Sequence, residues 1–249
     1  MNNYQIIALK SGADNYIWLI HDQHHVILID PTESAVVKDY LLKHKLHLQA
    51  ILLTHGHSDH VGGVDELVAA YNPKVIDNFQ DQLLDNQIIQ IGDFPGFKVI
   101  LTPGHMFEHV VYFFDNKHLF CGDVLFSMGC GRVFTNDFGA AYDSLLKIKA
   151  LPATTLCYPA HEYTLNNLRF TTMFDKTPDY YAKFAKLVQD KLTSLKNSLP
   201  TSLTDELQYN LFLRCDEMSV WKLLTDYTGE EIADEFSCFV ALRNLRNNF

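Results

Sequence analysis

Short apolar runs broken by polar turns occupy the first two-thirds of the chain and predict β-strands. Residues 16–20 and 26–29 flank the polar stretch His-Asp-Gln-His-His, which is typical of a hairpin with a longer loop. Further apolar runs that are too short for helices lie at residues 50–53, 97–101, 110–114, 118–121 and 155–158.

Apolar positions at helical spacing alternate with these strands. They predict helices from Thr32, a candidate N-cap, to His44, from the Gly62-Gly63 pair to Tyr71, and over residues 141–150. Strands that alternate with helices indicate layered α/β packing. Hairpins mixed with crossover connections argue against a purely parallel sheet.

The pattern changes near Lys176-Thr177-Pro178, after which strand signals become rare. One amphipathic stripe indicates a helix, and residues 230–246 predict another. The stripe consists of Tyr180, Phe184, Leu187, Val188, Leu192 and Leu195. We therefore predict a larger α/β domain over residues 1–173 and a smaller helical domain over residues 174–249.

Composition narrows the functional classes. The 249 residues carry 30 acidic and 20 basic side chains, for a net charge of −10, which argues against nucleic-acid binding. No apolar run approaches the roughly 18 residues that a membrane span needs. The five cysteines contain no Cys-x-x-Cys motif, and the N-terminal residues do not resemble a secretory signal. A reducing cytoplasm is the expected location, without a membrane or nucleic-acid partner.

The densest group of candidate metal ligands is His55-x-His57-x-Asp59-His60, which directly follows a predicted apolar strand. Four metal-ligand side chains fall within six positions, and residues 55 and 57 point to the same side of an extended backbone. A polar loop with incidental histidines is the plain alternative for a single residue, but this cluster favours metal binding.

Three other ligand-type residues have the same placement just beyond a short apolar strand. They are His105, which we prefer over His109 because a Pro-Gly turn delivers it, Asp123 and His161. The remaining histidines are expected to be exposed, namely His21, His24, His25, His44, His47 and His118.

Seven ligands exceed the capacity of one tetrahedral zinc but suit two ions that share a carboxylate. We predict His55, His57, His105 and Asp123 on one ion, and Asp59, His60, His161 and the same Asp123 on the other. Asp123 is the expected bridge because a carboxylate has two oxygens. Two divalent ions per chain are expected, with zinc first and Fe or Mn also compatible.

Further motifs accompany residues 54–60 and cover nearly the whole chain. They are Asp14-Asn15-Tyr16-Ile17-Trp18, Thr102-Pro103-Gly104-His105, Cys121-Gly122-Asp123, Gly129-Cys130-Gly131-Arg132, His161-Glu162-Tyr163-Thr164 and Asn210-Leu211-Phe212-Leu213-Arg214. Through residues 54–60 the sequence resembles the metallo-β-lactamase superfamily, and through these further motifs it resembles the glyoxalase II (hydroxyacylglutathione hydrolase) branch.

The resemblance implies an αββα sandwich with a binuclear metal site. It also implies hydrolysis of S-D-lactoylglutathione to glutathione and D-lactate, a step of methylglyoxal detoxification. We hypothesise that a metal-bridged hydroxide attacks the thioester carbonyl, and that Asp59 is a ligand that also orients the water. An acidic protein needs a local basic patch for glutathione, and the resemblance places Arg132, Tyr163 and Arg214 there. Arg243 and Arg246 are weaker candidates.

The chain departs from the usual motifs near the site without losing a ligand. Met106 and Glu108 stand where Thr and Gly are common, Phe134 stands where Tyr or another aromatic residue is frequent, and residues 135–137 replace a Glu-Gly-Thr stretch. These departures concern substrate contacts.

Three other functions compete with thioester hydrolysis. They are another hydrolysis within the superfamily, such as that of a β-lactam or a phosphodiester, a one-iron glutathione-persulfide dioxygenase, and a metal-dependent binding protein without turnover. A dioxygenase would need fewer ligands, and a closed structural site would leave no water position. A monomer is expected, because no long apolar surface stripe is left unassigned.

Overall fold

The computed structural model describes residues 4–175, 178–195 and 197–249. The first sheet has the order β1-β2-β3-β4-β5. Its strands are β1 (Gln5–Ser11), β2 (Asn15–His21), β3 (His25–Ile29), β4 (His47–Leu53) and β5 (Lys74–Asp77). β1, β2 and β3 are antiparallel, whereas β3, β4 and β5 are parallel. The hairpin and the crossovers that the sequence predicts therefore occur in one mixed sheet.

The second sheet has the order β13-β12-β9-β8-β7-β6. Its strands are β6 (Ile88–Ile89), β7 (Phe97–Leu101), β8 (Val110–Phe114), β9 (His118–Gly122), β12 (Leu156–Pro159) and β13 (Thr201–Ser202). A separate hairpin pairs β10 (Leu125–Phe126) with β11 (Gly129–Cys130). Within this sheet β9 and β12 are parallel neighbours, so their carboxyl ends lie at one edge.

Helices cover the outer faces of both sheets and form most of the C-terminal part. They are α1 (Ser34–His44), α2 (Ser58–Val61), α3 (Val64–Tyr71), α4 (Asn78–Asp81), α5 (Phe138–Lys149), α6 (Thr164–Phe174), α7 (Pro178–Leu195), α8 (Leu203–Tyr209), a 3-10 turn (Leu211–Leu213), α9 (Met218–Thr228) and α10 (Glu235–Asn247).

Alternation along the strands builds three apolar layers. Trp18 and Ile20 of β2 join the cluster between the two sheets, while Ile17 and Leu19 face the layer under α1 and α3. A third cluster on the far side of the second sheet includes Leu145 of α5 and Phe239 of α10. The predicted αββα sandwich with a helical C-terminal part is confirmed.

Several local predictions change in detail. Thr32 does not cap α1, because the helix begins at Ser34 after Glu33, and the Thr32 hydroxyl donates to the Asp59 carbonyl (2.8 Å) instead. His118 is not exposed, because it lies within β9 and its Nδ1 is 2.8 Å from the Tyr158 hydroxyl. The last helix starts at Glu235 rather than near residue 230.

The amphipathic stripe of α7 is buried at Phe184 and Val188, whereas Leu187 is 42% exposed. The side chains of Tyr180 and Leu195, like the Lys176-Thr177 step, lie outside the described residues. The domain boundary at residue 173 stays a prediction, and α6 ends next to it at Phe174.

All five cysteines are free and buried, in agreement with the absence of a disulfide motif. Among the described residues, none of the helices combines the length and the apolar character that a membrane crossing requires.

Candidate metal centre

Four loops that follow strands bring the seven candidate ligands together. Residues 55–60 follow β4, His105 follows β7, Asp123 follows β9 and His161 follows β12. Carboxyl ends of strands in α/β sheets are common places for binding sites, because the loops there converge while the strands hold them rigidly. The structure places the ligand atoms in two adjoining groups.

The first group contains His55, His57, His105 and Asp123, whose candidate ligand atoms all lie within 4.8 Å of one another. Nδ1 of His57 is 2.9 Å from Nε2 of His55 and 3.0 Å from Nε2 of His105. Three imidazole nitrogens that meet at one point suit a shared cation, because each can direct a lone pair to it.

The second group contains Asp59, His60 and His161, again within 4.8 Å. Nε2 of His161 is 3.5 Å from Oδ2 of Asp59. His60 and His161 are buried, whereas Asp59 remains about half exposed, so the site opens to solvent on the Asp59 side.

Asp123 lies between the two groups. Its Oδ1 is 3.4 Å from Nε2 of both His60 and His161, and its Oδ2 is 3.5 Å from Nε2 of His105. The two oxygens therefore face different groups, which is the geometry that a bridging carboxylate requires.

Two buried polar atoms at this junction support a metal centre. Nε2 of His60 and Oδ1 of Asp123 are each buried without a hydrogen-bond partner among the described residues. A buried polar atom without a partner costs about 1–3 kcal/mol, so natural structures rarely keep one without a ligand. Divalent ions in both groups would satisfy these atoms, and the residues present fit such ions.

Electrostatics hold His55, His105 and Asp123 in metal-binding protonation states, whereas His60 would release a proton when a metal binds. Burial lowers the pKa of both His55 and His105, which leaves neutral imidazoles. Burial opposes ionisation of Asp123, yet the neighbouring histidines, with His60 foremost, hold the pKa of this carboxyl well below its usual range. In the metal-free protein, burial lowers the pKa of His60, but the carboxylates of Asp30 and Asp123 outweigh it and raise this pKa to about 10.

A second set of contacts orients the histidine rings from behind. Nδ1 of His60 is 3.0 Å from Oδ2 of buried Asp30, and Nδ1 of His161 is 2.9 Å from Oδ1 of Asp14. Nδ1 of His105 is 2.8 Å from the Arg132 carbonyl. Such partners fix which ring nitrogen carries the proton and leave Nε2 free for a metal.

Asp30 was not predicted as a site residue, although its position in the sequence resembles that of the predicted ligands. It is an acidic residue just after an apolar strand, β3. Its Oδ1 accepts from the Thr54 N–H and its Oδ2 from the Thr54 hydroxyl, so it also anchors the start of the ligand loop.

His109, the rejected competitor of His105, has a structural place. Its Nε2 accepts from the Asp123 N–H (3.1 Å), and its Nδ1 lies 2.9 Å from the Thr102 hydroxyl. Burial lowers the pKa of His109 well below its usual range, so the ring is neutral and holds the backbone of the Asp123 loop.

Gly131 allows the Asp123 loop to pack closely. A Cβ at position 131 would stand 1.7 Å from the Asp123 carbonyl oxygen, so no other residue fits without moving the loop. This explains why glycine precedes Arg132.

A cleft of about 390 Å³ adjoins the second ligand group. The Tyr163 ring stacks on His161 with centroids 4.8 Å apart, and Phe126 lies 5.9 Å from the same ring. The cleft gathers basic side chains from two parts of the chain, namely Arg132, which follows β11, and Arg243 and Arg246 of α10. This local positive patch contrasts with the net charge of −10.

The structure brings Arg132 and Tyr163 to the cleft but not Arg214. The Arg214 guanidinium pairs with Glu217, with Nε 2.9 Å from Oε1 and Nη2 2.7 Å from Oε2, and it does not line the cleft. Arg243 and Arg246, the weaker candidates of the sequence analysis, do line the cleft. Arg243 itself is buried and donates to the carbonyls of Cys130 and Gly131.

Two of the departures from the family pattern, Phe134 and Glu108, lie near the first ligand group. The Phe134 ring packs edge-on against His57 and His105, at centroid distances of 5.4 and 5.2 Å. Oε1 of Glu108 lies 3.5 Å from where a Cβ of Gly56 would stand, between the two first histidines of the motif. Asp137 caps α5 by accepting from the Ala140 N–H.

Comparison with protein families divides the chain in two. Residues 12–78 and 74–161 match the metallo-beta-lactamase superfamily, and residues 162–249 match the hydroxyacylglutathione hydrolase C-terminus. The second match starts near α6, upstream of the predicted boundary.

Curated relatives match over almost the full length. A hydroxyacylglutathione hydrolase of Psychromonas ingrahamii is 38% identical over 254 residues and covers 98% of this chain and 99% of its own. A hydroxyacylglutathione hydrolase of Nitrosomonas eutropha is 36% identical over 252 residues, with 98% of each chain covered.

Solved structures support the fold. The BLEG-1 B3 metallo-beta-lactamase superposes with a TM-score of 0.64 at 23% identity, over 84% of this chain and 99% of its own. ETHE1 from Myxococcus xanthus gives a TM-score of 0.64 at 20% identity, over 99% of each chain. At these identities the likeness concerns architecture.

Proposed function

The chain belongs to the hydroxyacylglutathione hydrolase family of the metallo-β-lactamase superfamily, and on this basis we propose that it hydrolyses S-D-lactoylglutathione to glutathione and D-lactate. The observation that carries the proposal is the convergence of seven ligand side chains beside a basic cleft. The centre suits a hydrolytic reaction, and the cleft suits an anionic tripeptide.

We infer that the metal ligands are His55, His57, His105 and Asp123 for one ion, and Asp59, His60, His161 and Asp123 for the other. Two divalent ions held there would supply Lewis acidity and lower the pKa of a bound water to about 7. Zinc is the proposed metal, because imidazole nitrogens and carboxylate oxygens are among its usual protein ligands. Asp59 has its carboxylate at the open side, where it can accept a hydrogen bond from the attacking water.

The loop that carries Asp59 is fixed by its backbone. The Asp59 carbonyl accepts from Nδ2 of Asn15 (3.1 Å) and from the Thr32 hydroxyl (2.8 Å). These two contacts leave the carboxylate free to orient water while the main chain stays in place. The leaving thiolate has an unperturbed pKa of about 8.5, so its departure needs little acid assistance.

The cleft would bind the glutathione part of the substrate. Arg132 and Arg246 offer planar guanidinium groups, which bind carboxylates through paired hydrogen bonds. Burial raises the pKa of Tyr163, so its hydroxyl stays protonated and can donate a hydrogen bond. The stacking of Tyr163 on His161 connects this binding region to the metal centre.

The proposed setting is a cytoplasmic monomer that acts on small glutathione thioesters in methylglyoxal detoxification. Persulfide oxidation and other superfamily hydrolyses are not favoured, since the full-length relatives carry the name hydroxyacylglutathione hydrolase.

The test is direct. Metal-loaded protein should hydrolyse S-D-lactoylglutathione, which is measured as the loss of thioester absorbance. The same protein should consume no oxygen when it is given glutathione persulfide. Metal analysis should give two ions per chain. Oxygen uptake with one iron per chain, or no thioester hydrolysis with two ions bound, would refute the proposal.

A further inference from the structure

A buried amide links the cleft to the hairpin beside it. Asn167 of α6 is 3% exposed, and both ends of its side chain are used. Its Nδ2 donates to the Ser127 carbonyl (2.9 Å), and its Oδ1 accepts from Nε (3.3 Å) and Nη2 (3.2 Å) of Arg246. Asn167 therefore holds a cleft guanidinium and a loop of the α/β part at the same time.

The Ser127 end of this link is rigid. Met128 has a left-handed backbone (φ 64°), and its N–H donates to the buried carboxylate of Glu206 (2.9 Å). Nδ2 of Asn210 donates to the Gly129 carbonyl (3.0 Å). Buried side chains thus fix the turn between β10 and β11, which gives Asn167 a stable anchor.

Close packing reinforces the anchor. A Cβ at Gly129 would lie 2.6 Å from Nδ2 of Asn167, so the amide lies directly against the turn. The same turn continues through residues 130 and 131 to Arg132. Both Arg132 and Arg246 are consequently positioned relative to one piece of backbone.

The Arg246 end of the link would be mobile without this support. Arg246 lies in the last turn of α10, three residues from the C-terminal Phe249. Its guanidinium packs over Phe170 (5.8 Å) and Phe249 (5.4 Å), and among the described residues no carboxylate forms an ion pair with it. Aromatic faces hold the plane of a guanidinium but do not fix its rotation, which leaves that role to a directional hydrogen bond.

We propose that Asn167 is a positioning residue for substrate recognition, which fixes the Arg246 guanidinium against the Ser127 turn so that it can bind a carboxylate of the glutathione part. The inference rests on the proposed function. Asn167 takes part in no chemical step. Its substitution should therefore weaken the affinity for the substrate and leave turnover unchanged.

The test uses metal-loaded enzyme with two measurements, the Kd of glutathione by calorimetry and the steady-state constants for S-D-lactoylglutathione. Asn167→Ala should raise Kd and KM by about tenfold and leave kcat within about twofold, at an unchanged metal content. Asn244→Ala is the matched control, since this exposed amide lies on the same helix as Arg246. It should change none of these quantities.

A double-mutant cycle identifies the route of the effect. If Asn167 acts through Arg246, the double variant should bind glutathione no more weakly than Arg246→Ala alone. Should Asn167→Ala fail to fold, Asn167→Asp has the same shape. Its added carboxylate should occupy Arg246 and weaken glutathione binding, and this loss should also vanish in the Arg246→Ala background.

The possible failures are distinguishable. If the wild-type protein neither binds glutathione nor hydrolyses the thioester, the proposed function is wrong. If the wild-type protein does both and the Asn167 variants keep its Kd and KM, only the positioning role is wrong. An effect of Asn167→Ala that adds in full to that of Arg246→Ala would likewise overturn it.

Discussion

The metal centre and the basic cleft adjoin each other but are built differently. Every candidate ligand of the centre follows a strand within a few residues, and four of the seven lie within residues 55–60. The cleft draws Arg132 from a hairpin, Tyr163 from the residue before α6, and Arg246 from the last helix. The centre is therefore fixed by the sheets, whereas the cleft depends on how the C-terminal helices dock.

The comparison predicts the largest loss of activity for substitution of Asp123, whose carboxylate lies between the two ligand groups. Asp123→Ala removes the carboxylate that faces both groups, so metal content should fall below two per chain and kcat by at least about a thousandfold. Metal analysis and thioester hydrolysis measure this. Near-normal turnover of metal-depleted protein would show that the centre is not catalytic.

The next effect concerns the carboxylates behind the ligands. Asp30→Asn weakens the hold on Nδ1 of His60 in a fully buried place, and such changes reduce metal affinity by roughly 10–100-fold. Asp14→Asn is the comparison variant, since Asp14 makes the same contact to His161 but is 39% exposed. We expect a smaller loss of metal affinity in Asp14→Asn than in Asp30→Asn, and competition with a metal chelator measures both losses. Equal losses would mean that burial does not matter for this role.

These contacts show which parts of the metal centre can be predicted from the sequence. Residues 55–60, His105, Asp123 and His161 could be selected because a strand end fixes where a loop begins, and backbone periodicity is readable locally. Asp30 carried the same signal but lay outside any dense motif, so nothing distinguished it from an ordinary turn residue. The layers were predictable for the same reason, while the short β6, β10 and β13 were not, because two residues carry no period.

The cleft was less predictable because its geometry is tertiary. Arg214 and Arg246 both lie in the C-terminal part, and the sequence analysis favoured Arg214 because only this arginine belongs to a quoted motif. Glu217, three residues on, engages Arg214 through paired hydrogen bonds, and only helix docking decides which guanidinium remains in the cleft. Interactions between distant elements leave no periodic trace in the sequence.

The difference between an arginine that lines the cleft, Arg132, and one that does not, Arg214, can be measured by enzyme kinetics. Arg132→Ala should raise KM for S-D-lactoylglutathione by about tenfold, since a carboxylate contact is lost, with a smaller change in kcat. Arg214→Ala should leave KM within about twofold, because its partner is Glu217. A large rise in KM for Arg214→Ala would reverse our placement of the glutathione site.

The smallest effect on turnover is expected at Glu206, a buried residue whose side chain anchors the hairpin between the two regions. Its substitution should change stability instead. Burial raises the pKa of Glu206 to about 7, in spite of hydrogen bonds from Thr201, Met128 and Asn210 that lower it. Because the folded-state pKa is raised, the stabilisation is complete at pH values below the unfolded pKa of about 4.5 and is lost as pH rises through about 7.

The loss should amount to about 3 kcal/mol of unfolding free energy. Glu206→Gln keeps the shape without the titration, so the stability of the wild type relative to this variant should fall by that order between pH 4.5 and 8, as measured by denaturant unfolding. Comparing the two proteins cancels the pH dependence of metal binding that they share. A difference in stability that does not vary with pH would show that the hydrogen-bond donors around the carboxylate outweigh its burial, and that an ionised carboxylate anchors the hairpin across this pH range.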